Sequence, residues 1–432
     1  MPRMRHGARV FFQAALALGL VGFAMAQDPV GPLIRKAIVL RQRVLEQTRF
    51  TVAPRQLPLA GKNEKLLLLD QLGDPWLFKV EDTAHPISLH GEVAASMLSV
   101  AADGRVPPVH SVSLIINSES VHGSVQRLLP ITSTLETVQP EKLSRVQLEE
   151  VLELQVFDWM AGDNDTKGDN KGVLGDGGLV NFDKSQFWRF VGSDRLDWTY
   201  HPNARPGNRP EFNVLIEPYT NKVWKSWIAG KLELDPAPLE RAIERWELVD
   251  DRLVVELLQG FAWMRSVILG SDDAYTARAF LVWVLQRKRT LRAEFSAFLA
   301  RASRARGRGA IAFAGQREIG ETRRQESIRL HELIAGLEAR LARLAKARAT
   351  RPSGADSLEV PIDQEARLRI LKFETSNEPF ESALRDLLEL RRRRAHPMAR
   401  AGIDEYVERL RRFQRGEVPR RDMERVLHGR GY

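Results

Sequence analysis

The stretch Gly162-Asp-Asn-Asp-Thr-Lys-Gly-Asp-Asn170 constrains this chain more than any other. It interrupts a segment of helical periodicity, 141–161, and hands over to the strand-like Leu179-Val-Asn-Phe-Asp183. Its glycines, acids and amides mark 162–178 as turn-rich. Asp165 lies five positions before Asn170, and a short hairpin then ends in the strand-borne Asp183. That order suits phosphoryl transfer, a chemistry made mostly of positioning and charge neutralisation. In this reading Asp165 orients an acceptor hydroxyl and takes its proton, while Asn170 and Asp183 offer hard oxygens to Mg²⁺ on nucleotide phosphates. A solvated Asp/Asn-rich turn or a calcium-binding loop uses the same residue types, and the loop alone does not separate them.

The segment upstream adds to the pattern. Leu66 to Leu69 and Trp76 to Val80 read as two strands joined around Gly73-Asp74-Pro75, and Gly91 to Ala101 reads as a helix. Lys79 then stands near the end of a strand and Glu92 in the first turn of the next helix, where a strand lysine holds phosphates and a helix glutamate holds the lysine. Singly, each reads as an ordinary surface charge. The order Lys79, Glu92, Asp165, Asn170, Asp183 is much harder to reach by accident. Extended stretches follow at Val109–Asn117 and Gly123–Leu129. Further on come an aromatic cluster at Phe187, Trp188 and Phe190 and a mostly helical region from Pro236 to Leu299.

Composition sets outer limits. With 432 residues, 43% hydrophobic and 28% charged, the chain is globular and long enough for two domains. It has no cysteine, which excludes disulfides, Cys-ligated metal, iron–sulfur clusters, thiol nucleophiles and a lipobox anchor. No G-x-S-x-G or H-E-x-x-H occurs, which weakens a hydrolase reading. Arg3, Arg5 and Arg9 precede an apolar run that closes on Ala24-Met-Ala26, the pattern of a secretory signal peptide over 1–26. Export to a periplasm or beyond, with cleavage before Gln27, is therefore expected. Residues 27–60 read as an N-terminal helix and lead-in. At the other end, residues 301–432 carry roughly 30 basic against roughly 20 acidic side chains, so this tail accounts for the net charge of +9. A linker is expected at 301–316 and a basic helical module at 317–432. Leu330, Ile334, Leu337, Leu341 and Leu344 form a short heptad seam that allows coiled-coil self-association. Short helices are expected near 365–373, just after Pro379 and near 403–413. Arg391 to Arg394, Arg411, Arg412, Arg420 and Arg421 suit an anionic membrane surface or a solvated helix face. No aromatic platform accompanies them, which argues against nucleic acid.

Several of these motifs together resemble the phosphatidylinositol 3/4-kinase-like superfamily, especially type II phosphatidylinositol 4-kinases and HipA-like bacterial kinases. Glu92-Val-Ala-Ala-Ser with Val106-Pro-Pro is similar to their helix and following loop, and Gly123-Ser-Val-Gln126 to the strand entering the interlobe hinge. Val156-Phe-Asp-Trp159 with Gly162-Asp-Asn-Asp165 and Asn170 resembles their catalytic loop, and Asn181-Phe-Asp183 through Phe187 their metal-binding strand. The resemblance covers about residues 60–300. It implies an α+β, bilobal protein-kinase-like fold, with an N-lobe at 61–133, a mostly helical C-lobe at 134–300 and the helical C-terminal module as an addition. ATP and Mg²⁺ are the implied cofactors, and a protein or lipid-type hydroxyl is the implied acceptor. Asp165 and Lys167 are the implied catalytic residues, with Lys79, Glu92, Gly61, Asn63 and Gln126 on the nucleotide and Asn170 and Asp183 on the metal. Loops of that superfamily commonly read Asp-Arg-His, where this chain has Asp165-Thr-Lys167. Only one glycine stands in Gly61-Lys-Asn-Glu64, the segment expected to cover the nucleotide. These departures keep a second reading open, a catalytically inactive kinase-fold module that binds a partner through its basic tail.

Overall fold

The computed structural model describes residues 30–56, 64–82, 87–116, 119–163, 165–188, 195–200, 217–269, 276–309, 313, 319–349 and 379–393, and parts of 403–416. The expected signal peptide, Gly61, Asn63, Phe190 and the helix near 365–373 lie outside the described residues. A helix, α1 (Val30–Gln47), leads into a five-stranded antiparallel sheet. Its strands are β1 (Phe50–Val52), β2 (Lys65–Asp70), β3 (Pro75–Val80), β4 (Val109–Ile116) and β5 (Glu119–Arg127), in the order β1-β2-β3-β5-β4. The expected hairpin is β2–β3, closed by Gly73 at a φ of +81°. Between β3 and β4 runs α2 (Ile87–Ala102), which packs on β4 and β5 on one side and on the helical lobe on the other. The helix begins earlier than its polar signals suggest because Ile87 and Leu89 are already buried. Glu92 therefore stands in the second turn and not the first.

The second lobe is built around α3 (Arg145–Met160), followed by α4 (Tyr219–Ile228), α5 (Ala237–Leu248), α6 (Asp251–Leu269) and α7 (Ala277–Ala305). A capping box starts α3. The Ser144 hydroxyl accepts from the Gln147 N–H at 3.1 Å, and the Gln147 side chain accepts from the Ser144 N–H at 3.0 Å. A small sheet, β6 (Ile131–Thr134), β7 (Lys171–Leu174) and β8 (Leu179–Asn181), lies beside it. With a sheet-plus-helix lobe and a helical lobe, the architecture is α+β, bilobal and kinase-like, as the sequence implied. Phe187 and Trp188 of the aromatic cluster are core residues, their rings tilted at 52° to each other with centroids 4.3 Å apart, and joined by Phe261 and Phe280.

The C-terminal part departs from expectation. The first residues of the expected linker continue α7, with Ala302 and Ser303 fully buried. After it, α8 (Ile319–Ala349) packs on α1 and α5, and Leu330 and Ile334 enter the main core. The heptad seam packs within the chain, against the apolar face of α1 formed by Val30, Ile34, Ala37 and Leu40. Ion pairs lock it there. Arg340 reaches Asp70 and, at 2.6 Å, Asp74 on the β2–β3 hairpin, while Glu326 accepts from Arg245 of α5 at 2.8 Å. Only further on does a separate apolar cluster occur, where Ala383, Leu387 and Leu390 of α9 (Phe380–Arg393) meet Ile403, Val407 and Leu410. The physical reason is that a heptad stripe fixes which face of a helix is apolar but not what covers it.

Truncation before residue 319 should thus expose the main core and abolish cooperative unfolding, whereas truncation after residue 349 should leave the main core intact. Arg340→Ala should lower stability in denaturant titrations by about 3 kcal/mol, the scale for removing one partner of a buried ion pair. A second expectation concerns His110 on β4. Burial, helped by Arg41, pushes its pKa down to about 4, against about 6.5 in an unfolded chain. The folded protein then binds fewer protons, so this stability is complete above about pH 6.5 and is lost as pH falls towards 4, by up to about 3 kcal/mol. His110→Gln should flatten the acid limb of a stability–pH curve.

Candidate active site

The site is assembled where the two lobes meet. The β2–β3–β5 register sets Lys79 opposite Lys65 on one side and Ser124 on the other. Its neighbour Gly123 permits this closeness, since a Cβ there would lie 2.1 Å from the Lys79 carbonyl oxygen. From this strand the Lys79 ammonium reaches Glu92 of α2 at 2.7 Å and Asp183, just past β8, at 3.6 Å. Burial lowers the pKa of Lys79, but the two carboxylates outweigh it and hold the amine above its ordinary value. Burial raises Glu92, which Lys79 only partly offsets. Burial also works to raise Asp183, yet Lys79, with Lys167 and Lys184 behind it, keeps it below the usual carboxylate range. Its side chain remains 42% exposed, so an ionised carboxylate is offered to solvent.

The catalytic-loop candidates gather alongside. The buried helix α3 ends at Ala161, and Gly162, at a φ of +53°, makes the exit turn. A Cβ at this glycine would sit 2.7 Å from the Trp188 ring. The loop is then held by its own polar groups. The Asp165 N–H donates to Asp163 Oδ1 at 3.0 Å, the Asn170 amide donates to the Asp165 carbonyl at 2.7 Å, and the Phe182 N–H donates to the Asn170 carbonyl at 3.1 Å. Lys167 forms an ion pair with Asp165 Oδ1 at 3.3 Å, but this buried oxygen accepts no hydrogen bond. Burial raises the Asp165 pKa; Lys167 opposes the shift, and Asp163 and Asp183 add to it. Asp183 itself has a φ of +53°, a left-handed conformation that aspartate tolerates and that recurs at functional positions.

The structure thus brings Lys79, Glu92 and Asp183 into one group and Asp165, Lys167 and Asn170 into another. The two are linked electrostatically through Asp183. Gln126 shares the Lys79 face of the sheet, opposite Leu77 and two pairs farther along the ladder. Sequence reasoning passed over Lys65, whose charge senses Lys79, Asp183 and Glu92. It gave no role to a buried set beneath the loop, Asp158, Asp163, Lys171, Asn181 and Lys184. The signal for Lys65 is its register with Lys79. For the buried set no local signal exists, because a lysine after Asp183 reads as a surface charge.

Hard oxygen donors fit magnesium. The Asn170 amide nitrogen is engaged, which turns its oxygen away from that bond, and Asp183 is ionised. Among the described residues no three His, Cys, Asp or Glu side chains form a metal cluster. An ion here would complete its shell with phosphate and water oxygens, the usual way Mg²⁺ is held beside a nucleotide.

No family model matches the chain, and no curated protein matches it. Among solved structures it is similar to the MAP kinase LmaMPK10 from Leishmania major at 8% identity and a TM-score of 0.24, over 70% of this chain and 99% of that one. At that score the likeness carries no weight, and the kinase-like reading of the fold stands on the arrangement of β3, α2, the 162–170 loop and β8.

Proposed function

We propose that this protein is an ATP- and Mg²⁺-dependent phosphotransferase acting on a hydroxyl of a protein or lipid-type acceptor. The observation that carries the reading is the placing of Lys79 between Glu92 and Asp183, beside a loop whose Asp165 has a buried oxygen without a hydrogen bond. Lys79, oriented by Glu92, would hold nucleotide phosphates, with Lys65 adding positive charge from the neighbouring strand. Asp183 and Asn170 would hold Mg²⁺, which neutralises charge building on the transferred phosphoryl group. Asp165 would position the acceptor hydroxyl and take its proton at Oδ1; its raised pKa suits a base more than an ordinary carboxylate would. Lys167 would move from Asp165 towards the phosphoryl oxygens. Gly61, Asn63 and Gln126 complete the proposed nucleotide contacts. The finer placement among phosphatidylinositol 3/4-kinase-like enzymes rests on the motif resemblance.

The arginine and alanine pattern of 1–26 supports an exported protein, and the basic residues after 390 support an anionic surface as a partner. A periplasm offers little ATP, so an exported kinase would work where its target supplies the nucleotide. The Lys167–Asp165 ion pair favours a second reading, in which the loop is closed by its own lysine and the protein is a catalytically inactive kinase-fold module that binds a partner or an anionic surface through its basic tail.

Purified protein incubated with Mg²⁺ and γ-labelled ATP, alone and with candidate acceptors, separates the two. Asp165→Ala should leave Mg·ATP affinity nearly unchanged while transfer falls by about 10²-fold or more. Asp183→Ala should weaken Mg²⁺-dependent binding and transfer together. A wild-type protein that transfers to nothing, itself included, would overturn the first reading and leave the second, and one that also binds no nucleotide would favour the second more strongly.

A further inference from the structure

Beneath the loop lies a buried, charge-balanced set of two aspartates and two lysines whose members come from four different places in the chain. Asp158 is in the last turn of α3, Asp163 in the loop, Lys171 starts β7, and Lys184 follows Asp183. The Lys184 ammonium donates to Asp163 Oδ2 at 2.6 Å and to Asp158 Oδ1 at 3.2 Å. Asp158 also accepts from Lys171 at 2.7 Å and from the Asn181 amide at 2.8 Å. We propose that Lys184 is the positioning residue that fixes Asp165 and Asp183 relative to each other. The proposal deepens the phosphotransferase reading and rests on it.

The argument is one of connectivity. Asp163 uses one oxygen for Lys184 and the other for the Asp165 N–H, so a single carboxylate separates the Lys184 ammonium from the peptide of the candidate base. Lys184 is bonded through its own backbone to Asp183, whose left-handed conformation needs neighbours that hold it. Its carbonyl also lies against α2, where a Cβ on Gly91, the residue before Glu92, would stand 3.3 Å away. The base loop, the metal-site aspartate and the helix carrying Glu92 therefore converge on one lysine. Lys171 is the internal control. It is equally buried, but its ammonium donates to a single carboxylate, Asp158, at 2.7 Å and to the Asn181 side-chain oxygen at 3.4 Å, whereas that of Lys184 holds both Asp158 and Asp163. Stability alone does not account for the arrangement, since a buried ion network is often no more stable than an apolar core of the same volume. Misplacing reacting groups by about 1 Å costs on the order of 10²-fold in rate, so a tether of this kind has a measurable kinetic role.

The experiment compares full-length wild type with Lys184→Met, Lys171→Met and Asp163→Asn. Asp163→Asn keeps an oxygen for the Asp165 N–H while removing the charge that holds Lys184, and it serves if Lys184→Met does not fold. Three quantities are read: denaturant stability, ATP affinity with and without Mg²⁺, and turnover by autophosphorylation. Lys184→Met should keep Mg²⁺-free ATP affinity within about threefold, because the Lys79–Glu92 pair is untouched. It should also lose about tenfold of the Mg²⁺ enhancement and about 10²-fold of turnover. Asp163→Asn should show the same pattern at about a tenth of the size in turnover. Lys171→Met should lose comparable stability yet keep both Mg²⁺ enhancement and turnover within about threefold of wild type. If Lys184→Met and Lys171→Met lose stability and turnover in parallel with Mg²⁺ enhancement intact, Lys184 is a core ion pair and the proposal fails. A wild type that shows Mg²⁺-enhanced binding but no transfer sinks the enzymatic reading alone, and the enhancement in Lys184→Met still decides the position of Asp183. A wild type that binds no ATP overturns both.

Discussion

The ion pair between Lys79 and Glu92 is the contact on which the rest of the site depends. It joins a strand of the sheet to the one helix inserted into that lobe, and through Asp183 it reaches the edge of the helical lobe. An unpaired ammonium at this depth would lose its charge or unfold its surroundings. Two carboxylates keep it charged, and on the proposed function a phosphate would take part of their place beside the ammonium while Asp183 turned to a divalent ion. The pair therefore fixes the closeness of the lobes at this point. Lys65 across the ladder tilts the potential further towards anions, since it lies beside Lys79 and feels the same carboxylates.

What holds the pair in place is largely outside the two lobes' own elements. The helix α8 is 31 residues long and contacts the β2–β3 hairpin, α2, α1 and α5. Arg340 grips the β2–β3 hairpin that carries Lys79, and Arg329 donates to the Val100 carbonyl of the helix that carries Glu92 at 2.8 Å. Glu326 holds Arg245 of the helical lobe, and Glu338 holds Lys36 of α1 at 2.9 Å. A single rigid rod that spans both lobes limits their relative movement more than any one interface would. The chain's last described core helix is thus a structural part of the site and not an appendage to it.

How much of this was legible in the sequence divides along a physical line. The hairpin, α2, α3 and the 162–183 stretch were legible because each is encoded locally, by period, by turn residues and by the short spacing from Asp165 to Asn170. Lys79, Glu92, Asp165, Asn170 and Asp183 stand out in the sequence by their order, and the structure brings them into two neighbouring groups. The Arg340 clamp was not legible, since its partner Asp70 is 270 positions away. Lys184 and Lys171 were missed for a related reason. Burial is decided by what packs around a residue, and nothing near Lys184 in the chain announces that two aspartates will enclose it. The heptad stripe of α8 shows the same limit, because its periodicity is real but names no partner.

The departure of Thr166 and Lys167 from the Asp-Arg-His loops of the resembling kinases gains a physical sense from the buried set. A catalytic loop needs a rigid support for its base, and a positive charge in or under the loop is an economical way to provide one. Here the support comes from below: Lys184 holds Asp163, and Asp163 caps the peptide of Asp165. With support supplied from the strand side, position 166 can carry a threonine where those loops carry arginine, and position 167 is left to a different use. Its lysine can lie 34% exposed beside Asp165, the one cation of the loop that is free to change partners when an anionic group arrives. On the proposed function, a lysine locked beneath the loop would meet one constraint, that a carboxylate acting on a hydroxyl has to be held still while its oxygens stay accessible.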